Sequence, residues 1–201
     1  MNRRIFLMAT GAALIAQPAF AQKLSLNSIS RYLNGIQTAE AEFTQVNDDG
    51  TLSTGKLLLH RPGRMRFEYN PPEKLLVMAG GSQIAIFDGK SNVQRPEKYP
   101  LKQTPLNLIL EQNVNLAARN MVVGHDYDGT STTVVAQDPE HPEIGTLALK
   151  FTGDPVELRQ WIVTDGQGGQ TTVILGELNK GVRLPPHLFN IVHEESSRGR
   201  N

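Results

Sequence analysis

Short apolar–polar alternations, broken by hairpin-length turns, run through most of this chain and restrict it to one kind of fold. Ala39, Ala41 and Phe43 alternate with Thr38, Glu40, Glu42 and Thr44, which gives a strand with one apolar face. Asn47-Asp48-Asp49-Gly50 follows as a hairpin loop. Gly55–Arg61 and Met65–Tyr69 read as strands around Pro62-Gly63, followed by Leu75–Ala79, Gln83–Asp88 and Asn92–Arg95. After a break at Pro96–Pro105, strands resume at Met121–Tyr127, Ser131–Ala136, Gly145–Phe151, Val156–Thr164, Thr171–Glu177 and Leu188–Val192.

Helical spacing is rare by comparison. Leu26, Ile29, Leu33 and Ile36 recur every three or four residues, giving an amphipathic helix that ends near Gly35. Thr104 is placed to cap a short helix with Pro105 at its first position, and Leu106, Ile109 and Leu110 on one side. Leu116, Ala117 and Ala118 suggest a third, started by Asn115. The fold class is therefore mainly β with a few helices, built on one large antiparallel sheet. Such a sheet must curl to keep its apolar face dry. Three short helices cannot cover it flat, but they can close the mouth of a curved one. The architecture implies a concave apolar interior under a helical lid.

The first residues are read as a targeting segment. Arg3 and Arg4 form a positive start, Ile5–Ala16 carries no charge, and Ala19-Phe20-Ala21 supplies a signal-peptidase site before Gln22. Residues 1–21 are expected to be a signal peptide for export from a bacterial cytoplasm, with the general and twin-arginine routes both open. The apolar run is too short for the ~20 residues that span a bilayer. The domain is expected over 22–192, and the polar tail 193–201 is expected to be disordered. Without Arg3 and Arg4, 18 basic residues face 20 acidic ones, which argues against nucleic acid and anionic lipid surfaces as partners. The chain has no cysteine, hence no disulfide, no thiol chemistry and no site for its own lipidation.

Catalytic signatures are missing: no nucleophile elbow, no H-E-x-x-H and no phosphate loop. Gly166-Gln167-Gly168-Gly169 lies between two strands and reads as a turn. Asp138, Glu140, His141 and Glu143 have metal-ligand chemistry, but Pro139 and Pro142 mark their segment as an exposed loop. Trp161 reads as packing. No catalytic residue, metal ligand or cofactor is expected. One position is physically unusual. Leu57, Leu59 and Arg61 share a strand face, so Arg61 brings a guanidinium to the edge of the apolar concavity if the leucines line it. Carbonyls at the C-terminal end of a lid helix are natural partners for it. The alternative is that it snorkels into solvent.

At this point the chain resembles a known family. Gly55-Lys56-Leu57-Leu58-Leu59-His60-Arg61-Pro62-Gly63-Arg64-Met65-Arg66-Phe67-Glu68-Tyr69 is similar to the signature of LolA, the periplasmic outer-membrane lipoprotein carrier, in its α-proteobacterial form. So are Ala41-x-Phe43-x-Gln45, Thr104-Pro105-Leu106 and Leu158-Arg159-Gln160-Trp161, in the same order to about Phe189. The resemblance implies an open, unclosed half-barrel capped by helices, and a carrier rather than an enzyme. The cargo would be lipoprotein acyl chains, the donor the inner-membrane Lol ABC transporter, and the acceptor a LolB-like receptor or the outer membrane itself. It implies that Arg61 latches the lid and that Leu57, Leu59, Met65 and Phe67 face the cavity, Met65 standing where better-known members have an aromatic.

The chemistry of such a cargo is demanding. Each methylene left in water costs about 0.8 kcal/mol, so some 40 methylenes make escape into water roughly 30 kcal/mol uphill. A pocket lined by Phe43, Val77, Ile84, Ile86, Leu147 and Leu149 as well would suit alkyl chains, which need no directional partners. A monomer is expected. Two other readings remain at this stage: a carrier of a different envelope lipid on the same half-barrel, and a regulatory or scaffold protein using the sheet for protein contacts.

Overall fold

The alternation in the sequence becomes the pleat of one sheet. The computed structural model describes residues 22–89, 95–118 and 120–198, so the expected signal peptide lies outside the described residues. The strands are β1 Thr38–Val46, β2 Leu52–His60, β3 Arg64–Tyr69, β4 Leu75–Gly80, β5 Gln83–Asp88 and β6 Glu97–Pro100 in the first half. The second half adds β7 Val122–Tyr127, β8 Ser131–Gln137, β9 Thr146–Thr152, β10 Glu157–Thr164, β11 Gln170–Leu175 and the two-residue β12 Asn179–Lys180. Their order is β6-β5-β4-β3-β2-β1-β11-β10-β9-β8-β7, with β12 also paired to β1. Every pairing is antiparallel, and β6 and β7 end the path without meeting, so the half-barrel is open.

Register sends alternate residues inward. Ala41 and Phe43 of β1 and Leu147, Leu149 and Phe151 of β9 are buried in one core with residues of the helices α1 Leu26–Gly35 and α2 Asn107–Leu110. Helix α1 starts where Ser25 accepts a hydrogen bond from the Ser28 amide. It lays Ile29 and Leu33 on the concave face. Gly55 explains itself by contact: a Cβ there would sit 2.8 Å from the Phe43 ring and 2.1 Å from the Glu68 carbonyl oxygen. At the hairpin end the interior is sealed by Phe43, Phe67, Tyr69 and Trp161, whose rings meet edge-on, Phe43 lying 5.2 Å from both Phe67 and Tyr69. Below them Tyr69 donates to Gln45 at 2.7 Å, Gln45 to Asn47 at 2.6 Å, and Asn47 to Thr51 and Ser53. Burial pushes the Tyr69 phenol up to about 12, so this plug stays neutral.

Several expectations are corrected. The second helix begins at Asn107, not at Pro105, because Thr104 turns its hydroxyl back to the Leu101 carbonyl at 2.8 Å instead of capping. Leu116–Ala118 is only a turn. Leu116 and Val114 donate their amides to Ser30 and Asn34 of α1, which fixes this segment by tertiary bonds. The expected strand Leu188–Val192 is a 3₁₀ turn, Pro186–Phe189, followed by the helix α3 Ile191–Arg198. The alternation there is real, since Phe189 and Ile191 are both buried, but no ladder uses it. The tail expected to be disordered continues this helix to Arg198, started by Asn190, which accepts from the His193 and Glu194 amides. Most of the expected strand Asn92–Arg95 lies outside the described residues. The segment read as a break contains β6, all four of whose residues are exposed.

The convex face has a smaller core of its own. Leu76, Met78, Ala85 and Phe87 point outward from β4 and β5 and pack against Ile191. A Cβ on Gly80 would come 2.3 Å from the Phe189 carbonyl oxygen, so the C-terminal segment lies directly on the sheet.

Candidate functional site: a latched apolar void

Leu57 and Leu59 leave β2 on the inward face two residues apart, and Met65 faces them from β3 through the Leu59–Met65 pairing. Leu33 and Ile36 come down from the end of α1, Ile109 from α2, and Leu158, Trp161, Leu175 and Leu178 from the far side. Together they enclose a void of about 20 Å³ whose walls are almost wholly carbon. That is room for roughly one water molecule.

Arg61 is the charged residue on this wall. It is only 5% exposed. One terminal nitrogen donates to the Leu33 carbonyl, and the other donates to the Glu111 carbonyl at 2.5 Å and to Asn34 Oδ1 at 3.3 Å. The guanidinium thus joins the last turn of α1, where the helix dipole places partial negative charge, to the segment leaving α2. Burial lowers the Arg61 pKa, with the Glu111 carboxylate acting in the other direction; an arginine stays protonated all the same. The backbone supports the same junction: Arg61 N donates to Gln37 O at 2.8 Å and Gly63 N to Leu110 O at 2.9 Å. Gly63 holds φ at +69°, a conformation glycine adopts without strain. Asn34 adds a two-way clasp, donating to Val114 O at 2.8 Å and accepting from Val114 N at 2.9 Å.

Of the residues singled out from sequence, Leu57, Leu59, Met65 and Arg61 meet at the void. Phe43, Phe67, Ile84, Leu147 and Leu149 are buried in the same core without bordering it, and Val77 and Ile86 pack against that core from the side. Sequence parity missed Leu158 and Trp161. A β-bulge between Leu158 and Gln160 brings both inward although they are three apart. The helical residues Leu33, Ile36 and Ile109 were readable as an apolar stripe, but not as cavity wall.

A larger cleft of about 1170 Å³ opens beside the lid, where Lys102 and Asn107 face the loop with Asp138, Glu140 and His141. Its lining is as much polar as apolar, in contrast to the carbon-walled void. Asp138 accepts the Glu140 and His141 amides at 2.9 and 3.3 Å, so the loop is ordered by its own turn. Among the described residues no group of three or more His, Cys, Asp or Glu is placed to hold a metal. Asp165 likewise accepts from Gln167 and Gly169 within the glycine-rich turn.

A family model described as "Outer membrane lipoprotein carrier protein LolA" matches residues 34–192. The chain is similar to an outer-membrane lipoprotein carrier protein of Cupriavidus taiwanensis, 27% identical with 94% of each chain covered. It is similar to another from Nitrosomonas europaea, 23% identical with 97% of each covered. Among solved structures it is similar to a LolA superfamily protein from Nitrosomonas europaea (TM-score 0.46, 10% identity, 83% of this chain and 97% of that one). It is also similar to a putative outer membrane lipoprotein-sorting protein domain from Vibrio parahaemolyticus (TM-score 0.48, 9% identity, 86% and 98%).

Proposed function

The chain belongs to the LolA family of outer-membrane lipoprotein carriers, and on that premise we propose that it shelters lipoprotein acyl chains between donor and acceptor membranes. The observation that carries the reading is a carbon-lined void beneath two helices that one buried arginine ties together. A void of about 20 Å³ holds no acyl chain. Entry of cargo therefore requires α1 and α2 to lift from the sheet. Two constraints follow. Lifting breaks the bonds of Arg61, each worth about 1.5–3 kcal/mol, and exposes the lid's apolar face. Acyl methylenes, at about 0.8 kcal/mol each, replace that face. Re-forming the latch then favours release, so cargo is held without being trapped.

In this reading the mature protein starts at Gln22 in the periplasm. It acts as a monomer, takes cargo from the inner-membrane Lol ABC transporter, and passes it to a LolB-like receptor or to the outer membrane itself. Its task is transfer without a chemical step on the cargo. Among the described residues no helix is long and apolar enough to cross a membrane. Native mass spectrometry of protein purified from its own periplasm is the test, and it should find the chain carrying a triacylated polypeptide. Free lipid would point to a carrier of another kind, and a bare chain to a scaffold; either result would overturn the proposal.

A further inference from the structure

Arg61 has one donor nitrogen left over. Its two terminal nitrogens serve the lid, but Nε is buried and meets no acceptor among the described residues. A buried, unsatisfied N–H is costly, and more so on a charged group. It belongs to the only charged side chain that the described residues contribute to the wall of the apolar void. An alkyl chain cannot satisfy this donor. The group that can is the acceptor at the head of such a chain, an ester or amide carbonyl, which brings an oxygen lone pair and no charge.

We propose that Arg61 recognises the cargo directly, donating from its guanidinium to the ester carbonyls that join the acyl chains to their polar head. This rests on the carrier reading and adds what it leaves open, namely how the protein registers that a chain has been seated to its full length. With the lid lifted, the nitrogens that served Leu33, Asn34 and Glu111 become free as well. Cargo carbonyls then exchange places with lid oxygens on the same side chain. The arginine stays bonded in both forms, so the swap between them has a low barrier and the closed form is not over-stabilised. A carbonyl at the mouth also fixes how deep the methylenes reach, with their ends directed toward the Phe43, Phe67 and Trp161 layer. Specificity would then lie in the ester group as well as in apolar length.

The test pairs two synthetic diacyl lipopeptides of equal chain length, one ester-linked and one ether-linked, with the wild type and with Arg61→Leu. The wild type should bind the ester form about tenfold or more tightly than the ether form, the effect of one charge-assisted hydrogen bond. Arg61→Leu should bind both alike. Independently of any variant, the ester carbonyl band of ¹³C-labelled lipopeptide should move to lower frequency in the wild-type complex. Equal affinity of the wild type for both forms, or a band at the position found in an alkane, would remove the carbonyl contact and leave the carrier reading intact. Failure of the wild type to bind either lipopeptide would overturn the carrier reading, and this proposal with it.

Discussion

Arg61 and Arg66 each hold a helical segment on one face of the same sheet, but with different partners. Arg61, on the concave side, bonds neutral oxygens of Leu33, Asn34 and Glu111 and leaves Nε beside a void without an acceptor among the described residues. Arg66, on the convex side, meets charge: Nε donates to Glu68 at 2.6 Å, and Nη1 to Glu194 at 3.0 Å and to the Leu188 carbonyl at 3.1 Å. Around it Leu76, Met78, Phe87 and Ile191 pack into a core, and Arg198 lies over the Phe87 ring. Neutral acceptors can be exchanged for other neutral acceptors at small cost. A mostly buried ion pair cannot be opened without leaving a charge behind. The concave clasp is suited to release and the convex one to permanence.

The largest expected effect follows from that contrast. Arg66→Leu leaves Glu194, whose side chain is 17% exposed, facing an apolar face with only Arg198 as partner. The loss should be about 3 kcal/mol of stability, the lower end for breaking a buried pair, with α3 losing amide protection first. Denaturant unfolding and hydrogen exchange measure both. An unchanged midpoint would mean that the convex core, and not the ion pair, seats α3.

Arg61→Leu should act on transport more than on folding. Losing two charge-assisted bonds moves the empty protein toward the open form by roughly a hundredfold or more. The variant should accept lipoprotein from inner-membrane vesicles yet fail to deliver it to an outer-membrane acceptor, with Arg61→Lys in between because it lacks the planar fork. If receipt is lost while the little cargo held transfers normally, Arg61 is a donor-docking residue and the two arginines no longer form a pair.

Acidification should separate the two faces more gently. On the convex side, burial and the Arg64 charge hold His60 below its ordinary value of 6.5, with the Phe189 ring 5.6 Å away. Glu194 is pushed up by burial, but hydrogen bonds from Arg198 and Arg66 bring it below 4.5 overall. Both depressed values mean stability that is full above the unfolded pKa and lost as pH falls. The C-terminal segment should therefore loosen below about pH 6.5 as His60 gains its charge, and further below about 4.5 as Glu194 loses its own. The oxygens that Arg61 bonds do not titrate. Amide spectra recorded between neutrality and pH ~4 should move at 186–198 before they move at Leu33, Asn34 and Glu111. Simultaneous loss would show that the faces unfold as one unit.

The concave half of this picture could be read from sequence, because period-two alternation survives wherever one face is wet. Leu57, Leu59 and Arg61 fell on one face by that rule, and the structure places all three at the void. The rule fails where the ladder slips: the bulge on β10 turned Trp161 and Leu158 to the same side. The convex core was announced by Leu75-Leu76-Val77-Met78-Ala79, a continuous apolar run of the kind carried by a strand covered on both faces. Nothing local said what would cover it, since Phe189 and Ile191 alternate as a strand would while Asn190 starts a helix. Strand β6 carried no signal because an exposed edge has no apolar face to display. Leu58, on the opposite face from Leu59, is buried too, so burial alone does not tell the concave face from the convex one.

Whether the concave face really opens can be asked with a chain that has no cysteine of its own. Asn34→Cys with Val114→Cys replaces the clasp between α1 and the segment after α2 by a disulfide, two positions already joined through hydrogen bonds of 2.8 and 2.9 Å. The oxidised protein, its bridge verified by mass, should bind no triacylated lipopeptide, and reduction should restore binding. Uptake by the oxidised form equal to that of the reduced form would mean that cargo enters without parting α1 from the segment after α2.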